Sequence, residues 1–175
     1  MKVIARNLSN RQLRKSILRI LRENVLCSMA SVGKHNRAHI NTAYFCYSED
    51  LDDLEIYFLS DPRSTHCRNL SVNPSMAMTI FRSAQKWGES NRGLQLFGTC
   101  SETSGQFVRK AERLYGKRFP LYKKWMDSVR EDEKRLAKQL RSYRFHRFLP
   151  SRVKIIDEGE FGAVFITATI RRRME

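Results

Sequence analysis

The sequence predicts a mainly β fold with added helices (α+β), in which a largely antiparallel sheet curls into a barrel. Three observations carry this reading. Seven apolar segments have strand character, and Gly, Pro, Asn or acidic turns separate most of them. Helical patterns fall only before the first strand, after the third and after the fifth, so helices do not alternate with strands as βαβ units would require. A chain of 175 residues, 41% hydrophobic and 29% charged, is the size of one soluble, globular domain with a substantial core, expected here to span residues 1–175.

The first element is a helix over about residues 10–23. Leu13, Ile17, Leu18, Ile20 and Leu21 recur at helical spacing with Arg and Lys between them, which makes one face apolar. VLCSMASV (25–32) follows as a buried strand. The turn GKHNR leads to a second strand from Ala38 to about Tyr47, with Gly33 and Asn36 supplying the turn chemistry. After the acidic loop SEDLDD, residues 54–59 form a third strand. A short helix beginning at Pro62, capped by Asp61, is expected to stop at Asn73 and Pro74.

The fourth strand runs from about Met76 to Arg82, and GLQLFGTCSE is the fifth, across the polar loop AQKWGESNR. A helical insertion over about 104–142 comes next. Its first helix places Phe107, Ala111, Leu114 and Tyr115 on one side, Phe119 and Pro120 break it, and LYKKWMDSVREDEKRLAKQL forms a second helix, with Glu131 and Arg135 paired on its solvated face. YRFHRFLPSRVKIID, bent at Pro150 and Ser151, and FGAVFITATI close the chain as strands. There is no internal repeat and no low-complexity segment.

Composition narrows the function. No apolar run is long enough to cross a membrane, and the N-terminal MKVIARNLSNRQLRKSILRIL is too charged for a signal-peptide core, so a cytoplasmic protein without membrane partners is expected. Cys27, Cys46, Cys67 and Cys100 form no C-x-x-C pair, which argues against a zinc ribbon or dithiol centre and for buried thiols. Thirty-three Lys and Arg against 18 Asp and Glu leave a formal charge of +15, much of it between Arg109 and Arg147. Such an excess is either solvated or matched to an anionic partner, a nucleic acid or a phosphate-bearing small molecule.

One stretch stands out. In FLSDPRSTHCRNL an apolar strand runs straight into a helix start that carries Arg63, Ser64, Thr65 and His66 beside free backbone N–H groups. That combination is anion-binding chemistry.

The order of elements and several local patterns resemble the pyridoxamine 5'-phosphate oxidase-like, FMN-binding split-barrel family. The resemblance spans roughly residues 12–170 and rests on AHINTAYF, YFLSDPRSTHCRNLSVNPSMAMTIF, RGLQLFGTCSE and KAERLYGKRFP. The last two, with YRFHRFLPSRVKIIDEGEFG, look most like a sparsely characterised bacterial branch, not the oxidase itself.

In that family the strand–helix junction holds the FMN phosphate, commonly through Ser-Arg-Lys shortly before Asn-Pro. Ser64, Thr65 and His66 stand at those positions, with Asn73 and Pro74 downstream: the serine matches and the two cations do not. Thr65 offers a hydroxyl, His66 a hydrogen bond and, when protonated, a charge, and Arg63 is the candidate for the missing cation. The resemblance places the isoalloxazine ring along the second strand at His39, Asn41, Thr42 and Ala43, with Leu59 and Ser60 contributing from the third and Gln95 from the fifth.

The resemblance further implies a homodimer with two FMN sites at the subunit interface, for which Phe45, Phe97 and Trp125 are candidate contacts. The closing FITATIRRRME lacks the oxidase's Arg- and Trp-containing substrate clamp, and Arg171, Arg172 and Arg173 read as a solvated tail. The implied activity is therefore that of an FMN-dependent oxidoreductase or flavin reductase acting on a small organic substrate, with no catalytic triad visible. NAD(P)H is a candidate electron donor, and with no G-x-G-x-x-G turn it would bind in the open pocket.

Three alternatives stay open. The barrel could bind another planar cofactor, deazaflavin or haem, with His39, His66 or His146 as iron ligands, although the three show no ligand spacing. It could be a basic, cofactor-free barrel that binds nucleic acid through Arg109–Arg147, which is not favoured because charge without a readout motif gives only nonspecific attraction. Or the flavin site has decayed, leaving an interaction domain.

Overall fold

The computed structural model describes residues 1–82 and 84–172. The strands are β1 (Lys2–Ala5), β2 (Leu26–Val32), β3 (Ala38–Tyr47), β4 (Ile56–Ser60), β5 (Ser75–Phe81), β6 (Arg92–Glu102), β7 (Arg144–Asp157) and β8 (Val164–Thr169). The helices are α1 (Arg11–Glu23), α2 (Thr65–Val72), α3 (Gln106–Arg118), α4 (Pro120–Asp127), α5 (Glu131–Ser142) and the single turn α6 (Glu158–Phe161).

The sheet order is β1-β8-β7-β4-β3-β2-β5-β6, and a further pairing of β6 with β7 closes six strands, β2 to β7, into an antiparallel barrel. The 14-residue β7 makes this closure possible. Its first half lies between β4 and β6, and its second half lies between β6 and β8. The bend expected at Pro150 and Ser151 is a β-bulge: Phe97 pairs with Arg152 and Gly98 with Pro150, so Ser151 has no register partner on β6 and its hydroxyl donates to Phe97 O at 3.2 Å.

The barrel interior is one apolar cluster that α1 covers. Asn10 caps α1 by accepting from Leu13 N at 2.9 Å, and Leu13, Ile17, Ile20 and Leu21 are buried against Phe45, Phe58, Leu94 and Phe148. Each such side chain contributes roughly 1.5–3 kcal/mol on burial. A second cluster lies outside the barrel wall, where Cys46, Tyr57 and Phe145 pack against Ala111 and Tyr115 of α3 and Tyr122 of α4. Strand β4 is therefore covered on both faces, Ile56 and Phe58 facing the barrel and Tyr57 and Leu59 facing the helices, which explains its continuous apolar run.

The structure differs from the sequence reading in several places. An eighth strand, β1, pairs in parallel with β8. The expected second helix of the insertion divides into α4 and α5 around Ser128–Arg130, where the Ser128 hydroxyl bonds Arg130 N at 3.2 Å and reaches Glu133, local bonds that compete with the helix. Glu131 pairs with Lys134, one residue closer than Arg135. Phe45 is completely buried inside the barrel and cannot form a subunit contact, whereas Phe97 is half-buried on the outer face. Arg172 is no solvated tail, since it pairs with Asp53 at 2.7 Å and donates to Leu54 O at 2.7 Å; Arg173 lies outside the described residues. All four cysteines are free and buried. No helix among the described residues is long and apolar enough to cross a membrane.

Candidate anion site at the β4–α2 junction

Strand β4 delivers Ser60 to the rim of the barrel, and the chain then turns through Asp61, Pro62 and Arg63, with Ser64 N donating to Asp61 O at 2.9 Å. The helix begins at Thr65, three residues later than expected, because Asp61 is used locally. Its carboxylate accepts from Arg63 N at 2.9 Å and from the Arg63 guanidinium at 3.1 and 2.8 Å. Those bonds hold the Asp61 carboxyl down at about 2. Asp61 is thus turned into its own loop, and it also partly neutralises Arg63, whose side chain remains 84% exposed.

Ser64 occupies the N-cap position, and its carbonyl accepts from Arg68 N at 3.1 Å, but no side chain caps α2. The Ser64 hydroxyl lies instead 3.2 Å from His66 Nε2, which itself lies 2.7 Å from Ser60 Oγ. The leading N–H groups of α2 therefore have no side-chain acceptor and suit an anion. Arg68, a residue not singled out in the sequence, adds a second guanidinium. It donates to Thr65 Oγ1 at 3.3 Å and to the Arg63 carbonyl. Its position one turn after Ser64 was the available signal.

His66 does not serve as a cation here. It is 4% exposed, and burial, followed by the neighbouring His146 and His39, pushes its pKa down to about 4. The imidazole is neutral at pH 7 and acts as a hydrogen-bonding group. It belongs to an aromatic column in which His39 stacks on His66 at 6.2 Å and Phe58 on His146 at 5.2 Å.

The remaining candidates divide between surfaces. His39, Asn41 and Ala43 alternate onto the His66 face of β3, with Asn41 Nδ2 donating to Thr42 O at 3.2 Å. Thr42 points the other way, its hydroxyl 3.3 Å from Ser28 Oγ. It begins a polar row across the outer wall, Thr42–Ser28–Thr79–Gln95, so Gln95 lies on that outer face three strands away. Leu59 faces α3, opposite to Ser60. The chain thus brings together His39, Ser60, Arg63, Ser64, Thr65 and His66, while Thr42, Gln95 and Leu59 stand apart from them.

The sequence profile of the pyridoxamine 5'-phosphate oxidase family matches residues 13–148, well over half of the chain. The chain belongs to that family. No curated protein sequence matches it significantly. Among solved structures, the haem storage protein HutZ of Vibrio cholerae superposes with a TM-score of 0.59 at 18% identity, covering 83% of this chain and 91% of that one. A haem-binding protein of Mycobacterium smegmatis gives 0.65 at 13% identity, covering 94% and 59%. A Clostridium acetobutylicum protein of the pyridoxinephosphate oxidase family, related to general stress protein 26, gives 0.60 at 12% identity, covering 91% and 95%. At these identities the likenesses show the shared split-barrel fold. Where the resemblance led to an expectation of Ser-Arg-Lys, the chain carries Ser64, Thr65 and His66, and the guanidinium groups nearby are those of Arg63 and Arg68.

Proposed function

We propose that the chain is an FMN-binding flavoprotein, an oxidoreductase or flavin reductase acting on a small organic substrate. The observation that carries this reading is the uncapped N-terminus of α2, where backbone N–H groups, the Ser64 and Thr65 hydroxyls and the Arg68 guanidinium lie together, with the Arg63 guanidinium held on Asp61 in the preceding turn. Each of these groups suits a phosphate dianion, through the helix dipole and charge-assisted hydrogen bonds. Bound FMN would supply hydride or single-electron transfer, and the protein would supply binding and orientation. His66 stays neutral and holds the Ser60 hydroxyl in place, and Asn41 and His39 line the adjoining β3 face, where strand amides and carbonyls are available to a flavin's polar edge.

Family membership supports a homodimer with a substrate pocket completed at the subunit contact. The outer barrel wall suits this, because Ile40 is 72% and Tyr44 55% exposed there. NAD(P)H would enter over the open flavin face.

The test is a visible spectrum of the purified protein titrated with FMN. Flavin bands at one cofactor per chain are expected, and R63A/S64A should weaken FMN binding at least about tenfold. Unchanged affinity in that variant would locate the phosphate elsewhere.

A second reading, haem binding, draws on the likeness to the haem storage protein HutZ and to the haem-binding M. smegmatis protein. Of the three histidines His39, His66 and His146, only His39 is more than marginally exposed, so it would be the axial ligand. A Soret band lost in His39→Ala would support haem in place of flavin.

A further inference from the structure

We propose that the groove between α3 and the β4–β7 edge is a second anion site, one that takes a small phosphomonoester. Glu55, immediately before β4, is completely buried. Its carboxylate pairs with Lys110 and Arg147 and accepts from the Tyr57 hydroxyl at 3.0 Å, and its backbone N–H donates to Ser48 Oγ at 2.8 Å. Asp53 beside it is taken by Arg172 at 2.7 Å. A cavity of about 430 Å³ opens over this pair and is also lined by Gln106, Phe107, Arg109 and Arg113.

The charges at this cavity do not balance. Four cations line it against two carboxylates, both already paired. Arg109 and Arg113, one helical turn apart and exposed, have no ion pair among the described residues. The Arg147 guanidinium is held rigidly 3.7 Å over the Phe107 ring, and its buried Nε has no partner. One held guanidinium, Arg147, beside two unpaired and exposed ones, Arg109 and Arg113, leaves an uncompensated double positive charge that matches a phosphate dianion. A neighbouring cavity of about 440 Å³ shares Lys110 and Arg113 and is lined by Tyr47 and Leu114 together with Glu49, Asp50 and Lys117, which gives an organic body a mixed apolar and polar surface on which to lie.

This site is separate from the α2 junction. Glu55 and Ser60 sit at opposite ends of β4, about 16 Å apart at the usual strand rise. Tyr57, which bonds Glu55, faces the helices, whereas the neighbouring Phe58 faces the barrel interior.

The experiment is isothermal titration of the full chain with inorganic phosphate in chloride buffer at constant ionic strength, beside an FMN titration. R109Q/R113Q changes two exposed side chains and is expected to weaken phosphate binding at least about tenfold while leaving FMN uptake unchanged. R63A/S64A should weaken FMN uptake and leave a phosphate isotherm that R109Q/R113Q removes. Phosphate binding equal to wild type in R109Q/R113Q, or fully abolished by R63A/S64A, overturns the second site. FMN uptake lost in R63A/S64A alongside either result keeps the flavin reading intact.

Discussion

Buried against Ser60 and stacked on His39, the His66 imidazole couples the junction to pH. Its folded pKa of about 4 lies below the ordinary histidine value because burial, then His146 and His39, disfavour the charged ring. The unfolded chain therefore takes up a proton near pH 6.5 that the folded chain refuses until about pH 4. The contribution to stability is full above pH 6.5 and is lost as pH falls from there toward 4. At pH 4.5 the loss amounts to roughly 2 kcal/mol. His66→Gln keeps a polar group near Ser60 but cannot titrate. Urea midpoints at pH 7 and pH 4.5 should converge in that variant by most of this difference. An acid-side loss as large as in wild type would assign it to His146, whose pKa is also lowered, first by burial.

Among the elements, the β6–β7 pair decides whether the barrel closes. Gly98 sits where the register shifts, and a Cβ there would meet Leu149 O at 2.1 Å and Pro150 Cα at 2.7 Å, both backbone atoms that cannot swing aside. Gly98→Ala should destabilise by at least about 2 kcal/mol, read as a lower urea midpoint. An unchanged midpoint would mean that the bulge at Ser151 slides along β7. Elements whose local pattern agrees with their packing were legible in the sequence: α1 from its apolar spacing, and β3 and β6 from turn residues and alternation. Strand β1 was not, because four mostly exposed residues become a strand only when β8 is already alongside. The α2 start was misplaced because Asp61, a good cap by type, bonds Arg63 instead. Of the junction, the adjacency of Ser60, Ser64 and His66 was readable from strand, turn and helix. The Glu55–Lys110–Arg147 cluster was not, since nothing local announces an ion pair made between distant segments.

For the molecule as a whole, self-association must reconcile a charge of +15 on each chain with contact between two copies. The outer barrel wall offers a way. Ile40, Ala30, Ala77 and Phe97 lie in register across four strands, with Arg152 laid over the Phe97 ring at 4.5 Å at the end of the row. Tyr44 and Leu26, paired and exposed, extend this wall beyond the polar Thr42 row. An apolar contact here brings few charges other than Arg152 into the seam, so much of the repulsion between the two copies is long-range and screened by salt. Light scattering should accordingly show the dimer fraction rising from low to moderate salt. Ile40→Glu, which places a carboxylate on the most exposed apolar residue of this row, should give a monomer at concentrations where the wild type is dimeric. The same variant separates two versions of the flavin site, because Ile40 points away from His39 and touches none of the α2 junction groups. A monomer that loses FMN means the second chain completes the site, whereas a monomer that retains wild-type affinity means that Ser64, Thr65 and their flanking arginines hold the phosphate within one chain. A dimer that survives Ile40→Glu removes the outer wall as the contact.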